Sequence, residues 1–330
     1  MDSTQIIQVG LIGFGEWSRQ AYAPVFNETS NVRVACVAAP SDATRALAVE
    51  AFGDGLRCHR DYREVLADGE LDAVMLALPN ALHAEALEAA LDADKHIFFE
   101  PPVAMQRAVS DRLHERIAAS ARVVQVDLEL RHLPVVSAVA DLVRRRAFGE
   151  PLMAKVRLWC NWGHGGGPWL DDVQDQSFFL WLGCWYLDVL DCVFDSPPIR
   201  AQVTGGRAMN GRLMDHGWAN LSYEGGGIGQ FEFNLVATQD TRIELSVLGT
   251  AGEVEADLKS GAYRWRGREG DWQHAEAPAS QPAHGFEGMR ESIQCFFAAI
   301  VEEAPVRSGV DVCRRVHAAA FGCAEAEGHV

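Results

Sequence analysis

The chain has 330 residues, 48% of them hydrophobic, and a formal net charge of −17. That length supplies two domains with large buried cores and leaves no need for disulfides or metals to hold them. The negative charge is spread along the chain rather than gathered in a tail, and it repels the phosphates of nucleic acid and of anionic membranes, so both are set aside as partners. Its eight cysteines form no CxxC pair and no His-Cys spacing of the zinc-binding kind, which predicts buried thiols in a reduced cytoplasm and no metal site.

Met1 to Thr4 lead straight into a strand pattern, with no basic region or apolar signal core. Short apolar runs at Ile6 to Ile12, Val32 to Ala38, Ala73 to Leu78, His96 to Phe99 and Val123 to Val126 are the strand candidates. Helical spacing of apolar residues fills the gaps between them, at Gln20 to Phe26, Ala43 to Phe52, His83 to Ala93 and Val109 to Ala119. Strands alternating with helices predict βαβ units and a parallel sheet covered on both faces.

After about residue 124 the pattern changes. One helix, Val135 to Arg146, is followed by strands that alternate strictly, as in Phe231, Phe233 and Leu235 interleaved with Gln230, Glu232 and Asn234. Ile243, Leu245 and Val247 repeat the alternation, and Gly249 to Gly252 supply a turn. Such strands predict an antiparallel sheet with one packed face and one wet or interfacial face. The apolar stretch Phe178 to Phe194 carries Asp188 and Asp191, falls short of a membrane span and reads as a buried helix. Glu287 to Glu302 and Val310 to Glu327 are helical again. The expected fold class is therefore α/β: a Rossmann parallel sheet over residues 1–124, and over 125–330 an α+β domain with a large, mostly antiparallel sheet.

The first strand runs into Gly13-Phe14-Gly15-Glu16-Trp17-Ser18 and then a helix, which matches G-x-G-x-x-G with serine in the last place. Glycine at the first two positions lets the backbone turn tightly and approach a pyrophosphate, which the helix N-terminus attracts. With the strand, helix and βαβ context in place, the motif points to NAD or NADP. At the end of the second strand, where an acid would accept from the adenosine ribose, stands Ala39. The missing carboxylate removes a preference for NAD, and Ser41 with Arg45 are candidates for a 2'-phosphate contact, so the choice between the two cofactors, and even loss of binding, stays open.

Four stretches resemble the Gfo/Idh/MocA oxidoreductases, a likeness that runs from Gly10 to about Ala326. They are AVMLALPNALHAE (Ala73 to Glu85), KHIFFEPP (Lys95 to Pro102), VDLELRHLP (Val126 to Pro134) and LWLGCWYLD (Leu180 to Asp188). The family writes them DAV-x-IATPN-x-x-H, KHVLCEKP, VGYNLRFHP and LDIGSHYLD. The resemblance implies a Rossmann domain followed by a substrate and oligomerisation domain, hence a homo-oligomer through the C-terminal sheet. It also implies cofactor contacts from Leu78, Pro79, Asn80, His83, Glu100 and Pro101, and a default activity of oxidising sugar or polyol hydroxyls. Three departures put that activity in doubt, because the family's lysine, aspartate and histidine fall on Pro101, Trp181 and Trp185. None of these moves a proton, and oxidation of an alcohol needs a base.

Without those groups the chemistry that fits is reduction of an imine or an apolar carbonyl substrate, since a protonated iminium already draws hydride. Glu129, Arg131 and His83 are the weak catalytic candidates, with Asp171, Asp172 and Asp175 nearby by family position. The run Trp162 to Trp169, rich in glycine and holding His164, is a candidate lid. The alternative is a catalytically inactive member that serves as partner or folding helper of an active paralogue, or as a small-molecule binder. A lyase or isomerase using transient oxidation meets the same lack of a proton carrier.

Overall fold

The structure is a computed structural model that describes residues 6–162, 176–209, 213–238, 240–278 and 288–328. The chain divides into two compact units. The first comprises the chain as far as Glu129 and a later segment that includes Met289–Val301; the second begins at Leu130 and takes in the end of the C-terminal helix from Arg314.

In the first unit, β1 (Ile7–Ile12), β2 (Val32–Ala38), β3 (Arg57–His59), β4 (Ala73–Leu76), β5 (His96–Phe99) and β6 (Val124–Val126) form one sheet in the order β3-β2-β1-β4-β5-β6. Every pairing is parallel. Helices α2 (Asp42–Phe52), α3 (Tyr62–Leu66), α4 (Asn80–Asp92) and α5 (Arg107–Ala119) are the crossovers, and they explain why β4 is buried at all four positions instead of alternating. After β1 the chain turns through a π-helical segment, Ser18–Tyr22, into α1 (Ala23–Glu28). Pro24 has no N–H to offer the turn before it, and there the Ala23 N–H donates to Ser18 O, five residues back.

The sequence gives no sign of β3, whose three residues Arg57, Cys58 and His59 are polar or partly exposed. Nor does it show where the late helix belongs. Met289, Ile293, Phe296 and Phe297 are buried in the same cluster as Tyr22, Phe26 and Phe98, with the Phe98 and Phe296 rings 5.6 Å apart.

The second unit is built on an eight-stranded sheet in the order β14-β13-β12-β11-β7-β10-β9-β8. Its strands are β7 (Pro151–Trp159), β8 (Arg200–Gly206), β9 (His216–Ser222), β10 (Ile228–Asn234), β11 (Arg242–Gly249), β12 (Gly252–Asp257), β13 (Ala262–Gly267) and β14 (Gln273–Glu276). Only β7 and β10 pair in parallel; the remaining neighbours are antiparallel, and Gly249 opposes Gly252 at the expected hairpin. The apolar face packs under a buried helix, α7 (Cys184–Phe194), which follows α6 (Pro134–Arg144) in order of helices. Tyr186 stacks on Phe231 at 5.1 Å, and Phe178 on Phe233 at 4.0 Å. Among the described residues no helix is long and apolar enough to cross a membrane.

Candidate dinucleotide site

In an open parallel sheet, ligands bind beyond the carboxyl ends of the strands, beside the point where strand order reverses. Here that point lies between β1 and β4, and the loops that meet there follow β1, β2, β4, β5 and β6.

The loop after β1 is shaped by its first glycine. Gly13 has φ +94°, and a Cβ on it would lie 2.0 Å from Ala77 O, so no other residue fits. Gly15 is different: a Cβ there meets nothing within 4 Å, so the space over it is open to a pyrophosphate at the start of a helical run. Phe14 turns into the core against Phe52 and offers only its backbone, while Glu16 points outward and accepts from Gln20 Nε2. These residues fit a bound dinucleotide phosphate group.

After β2, Ser41 is the N-cap of α2, accepting from Thr44 N at 3.0 Å. Arg45 reaches back to the Ala39 carbonyl at 2.5 Å and also pairs with the exposed Asp42. A guanidinium therefore lies against the backbone at the carboxyl end of β2.

After β4, Pro79 precedes α4 and Asn80 opens it. His83 is buried with Nε2 2.6 Å from Leu78 O and Nδ1 2.8 Å from Pro102 O, which ties the β4 loop to the β5 loop. A neutral imidazole has one N–H, so both contacts are hydrogen bonds only in the imidazolium form, and burial pulls the His83 pKa below its ordinary value. That side chain is committed to the two carbonyls.

After β5 come Glu100, Pro101 and Pro102. Glu100 Oε1 accepts from Trp17 Nε1 at 2.6 Å and from the Tyr22 hydroxyl. Asp127, directly after β6, has one oxygen accepting from Ser292 Oγ at 2.8 Å. Nothing in the spacing of Asp127 and Tyr22 along the sequence announces that strand ends and a helix bring them to Glu100. Pro101 and Glu129 are buried beside this group.

The remaining candidates lie in the second unit. Arg131 Nε donates to both oxygens of the fully buried Asp188 at 3.0 and 3.1 Å, and its Nη2 donates to Asp191, which also binds Arg315. Burial raises Asp188 to about 6 in spite of Arg131. Trp181 and Trp185 are half-buried on the turn and helix that cover the sheet, and Trp185 Nε1 is buried without an acceptor among the described residues. The lid candidate from Gly163 to Trp169, His164 with it, and Asp171, Asp172 and Asp175 lie outside the described residues.

Residues 7–128 match the family model described as "Oxidoreductase family, NAD-binding Rossmann fold", and residues 136–255 match the "GFO/IDH/MocA C-terminal domain". The chain belongs to the Gfo/Idh/MocA oxidoreductase family. A Gfo/Idh/MocA chain carries its NAD-binding fold in the first unit, where the glycine loop lies. The chain is 25% identical to the uncharacterized oxidoreductase YrbE of Bacillus subtilis over 60% of its own length and 58% of that protein's, less than two thirds of the relative. It is 23% identical to inositol 2-dehydrogenase/D-chiro-inositol 3-dehydrogenase of Lacticaseibacillus casei, over 76% of this chain and 72% of that one. Among solved structures, levoglucosan dehydrogenase in complex with NADH and levoglucosan superposes with a TM-score of 0.85 at 19% identity, covering 99% of this chain and 98% of that one, which speaks for the fold alone.

Proposed function

We propose that the chain is an atypical NAD(P)-dependent oxidoreductase that reduces an imine or a flat apolar carbonyl compound rather than oxidising a sugar. The observation that carries this reading is an intact dinucleotide loop, Gly13 to Trp17, combined with Pro101 at the position of the family lysine. A bound nicotinamide supplies hydride. Oxidation of an alcohol also needs a base at the hydroxyl, and proline and tryptophan provide none. The indole N–H of Trp185, which meets no acceptor among the described residues, suits a substrate acceptor atom, and the two tryptophan rings suit an apolar body. Glu129 is the acid candidate; His83 and Arg131 are better explained by the partners that hold them.

The test is titration of the intact chain with NADH and NADPH, followed by a screen of cyclic imines and aromatic ketones for loss of reduced cofactor. Quenching of tryptophan fluorescence and imine-dependent oxidation are expected. A flat titration with both cofactors removes this reading and favours the second, an inactive member that pairs with an active paralogue, a view supported by the three replaced proton-handling positions.

Two companion proposals concern its setting. Eight unbridged cysteines suit a reducing cytoplasm. The outward face of the eight-stranded sheet suits contact with a second copy, because Leu248, Met153 and Ile228 form an exposed lateral row, separated by Ser246, Lys155 and Gln230 from the charged row Glu244, Arg157 and Glu232 on the same face.

A further inference from the structure

Glu100 and Asp127 end neighbouring strands, β5 and β6, on the far side of β1 from Ala39. In a doubly wound sheet the adenosine lies over the β2 end and the pyrophosphate over the β1 loop, which sends the other half of the dinucleotide over β4 to β6. The glycine loop itself is joined to this pair, since Trp17 donates to Glu100 at 2.6 Å.

The pair is built to hold a proton. Glu100 is 7% exposed and Asp127 0%. Asp127 Oδ2 is buried and meets no donor among the described residues, and the Asp127 N–H donates at 2.8 Å to the carbonyl of Phe99, the residue before Glu100, which sets the two acids side by side at the sheet edge. Two neighbouring carboxylates in a dry site do not readily ionise together; they titrate as a pair. The titratable groups facing them are Tyr22, from the helical turn after β1, and Glu129, two residues beyond Asp127. Tyr22 stays protonated, because burial and the carboxyls push its pKa upward. Burial lifts Glu100 to about 7, and burial together with Glu100 and Glu129 lifts Asp127 well above the usual carboxylate range.

We propose that the Glu100–Asp127 pair senses the redox state of the nicotinamide: its ionised form favours the cationic oxidised ring, and its protonated form favours the neutral reduced ring. The inference rests on the reading that a nicotinamide dinucleotide binds at this sheet edge. Oxidised and reduced cofactors differ by one charge at the ring, so whatever the phosphates contribute cancels in the ratio of their affinities. Binding of the oxidised form then expels a proton, and the ratio of oxidised to reduced Kd falls as pH rises, by up to about tenfold per pH unit through neutrality. Salt screens charges in a buried site only weakly.

The experiment is calorimetric titration of the intact chain with NAD+, NADH, NADP+ and NADPH between about pH 6 and 8, in two buffers of different ionisation enthalpy. Proton release on binding the oxidised but not the reduced form is expected in the wild type, with a ratio that falls as pH rises. Glu100→Gln and Asp127→Asn should each flatten that dependence. Binding of both forms with a constant ratio and no difference in proton release overturns the inference while leaving the dinucleotide site in place. Binding of none of the four removes the site and the inference together. Should Glu100→Gln fail to fold, wild-type proton release still decides the matter.

Discussion

Gly13 and Gly15 stand two positions apart in one loop and are glycine for different reasons. Gly13 is required by the protein itself, through its positive φ and the Ala77 carbonyl, so Gly13→Ala is expected to destabilise the chain by about 2–4 kcal/mol in chemical denaturation. Gly15 is crowded by nothing in the chain. Gly15→Ala should therefore leave stability within about 1 kcal/mol while weakening dinucleotide binding roughly tenfold or more. If both variants lose only stability, the open space over Gly15 is not a phosphate site. Arg45 gives a second residue-level test. With its guanidinium on the Ala39 carbonyl, Arg45→Ala is expected to weaken NADPH about tenfold more than NADH, and an unchanged ratio of the two would remove the 2'-phosphate assignment.

At the scale of elements, the Arg131, Asp188, Asp191 and Arg315 network pins the turn Glu129–His132 and α7 to the C-terminal helix, α9 (Val310–Glu327). Arg131→Leu leaves the fully buried Asp188 carboxyl without its main partner and is expected to cost about 3–5 kcal/mol in denaturant, with Trp fluorescence as the readout. Met153, Ile228 and Leu248, 51%, 44% and 45% exposed, make the sheet face testable too. Ile228→Lys combined with Leu248→Lys should turn an assembly into monomers in sedimentation velocity, and an unchanged mass would clear that face of the role.

These elements also show what a reader of the sequence could and could not see. Hydrophobic runs at β1, β2, β4, β5 and β6, and alternation in β10 and β11, made both sheets legible, because burial on two faces or on one leaves a pattern in the residues themselves. The β3 strand left none. Glu100 stands in a motif, but its partner Tyr22 and its neighbour Asp127 lie 78 residues before and 27 after it, and only the folded sheet edge brings them together. Arg131 is a catalytic candidate in the sequence, but its bond to Asp191, 60 residues away, is invisible to any local pattern.

For the whole molecule, the buried carboxyls set the dependence of stability on pH. Glu100 is lifted from 4.5 to about 7 and Asp188 from 3.8 to about 6, so the folded chain holds protons that the unfolded chain has released between those values. Stability contributed by these groups is present at low pH and is lost as pH rises through each window. The net charge of −17 adds repulsion in the same direction. At constant salt the thermal midpoint is expected to drop between about pH 5 and 8, with a shallower drop in Glu100→Gln; a midpoint that climbs over that interval contradicts the assignment.

The α8 helix (Met289–Val301) closes the core of the first unit, and Ser292 holds both Gln125 and Asp127 at the end of that sheet. A ribosome has thus released six parallel strands long before it makes the helix that seals them, and the nascent sheet must wait, with Phe26 and Phe98 uncovered, while the second unit is translated. An expressed fragment ending at Glu129 should stay sticky and bind holdase chaperones, and only a chain carried past Val301 should mature into a nucleotide-binding module.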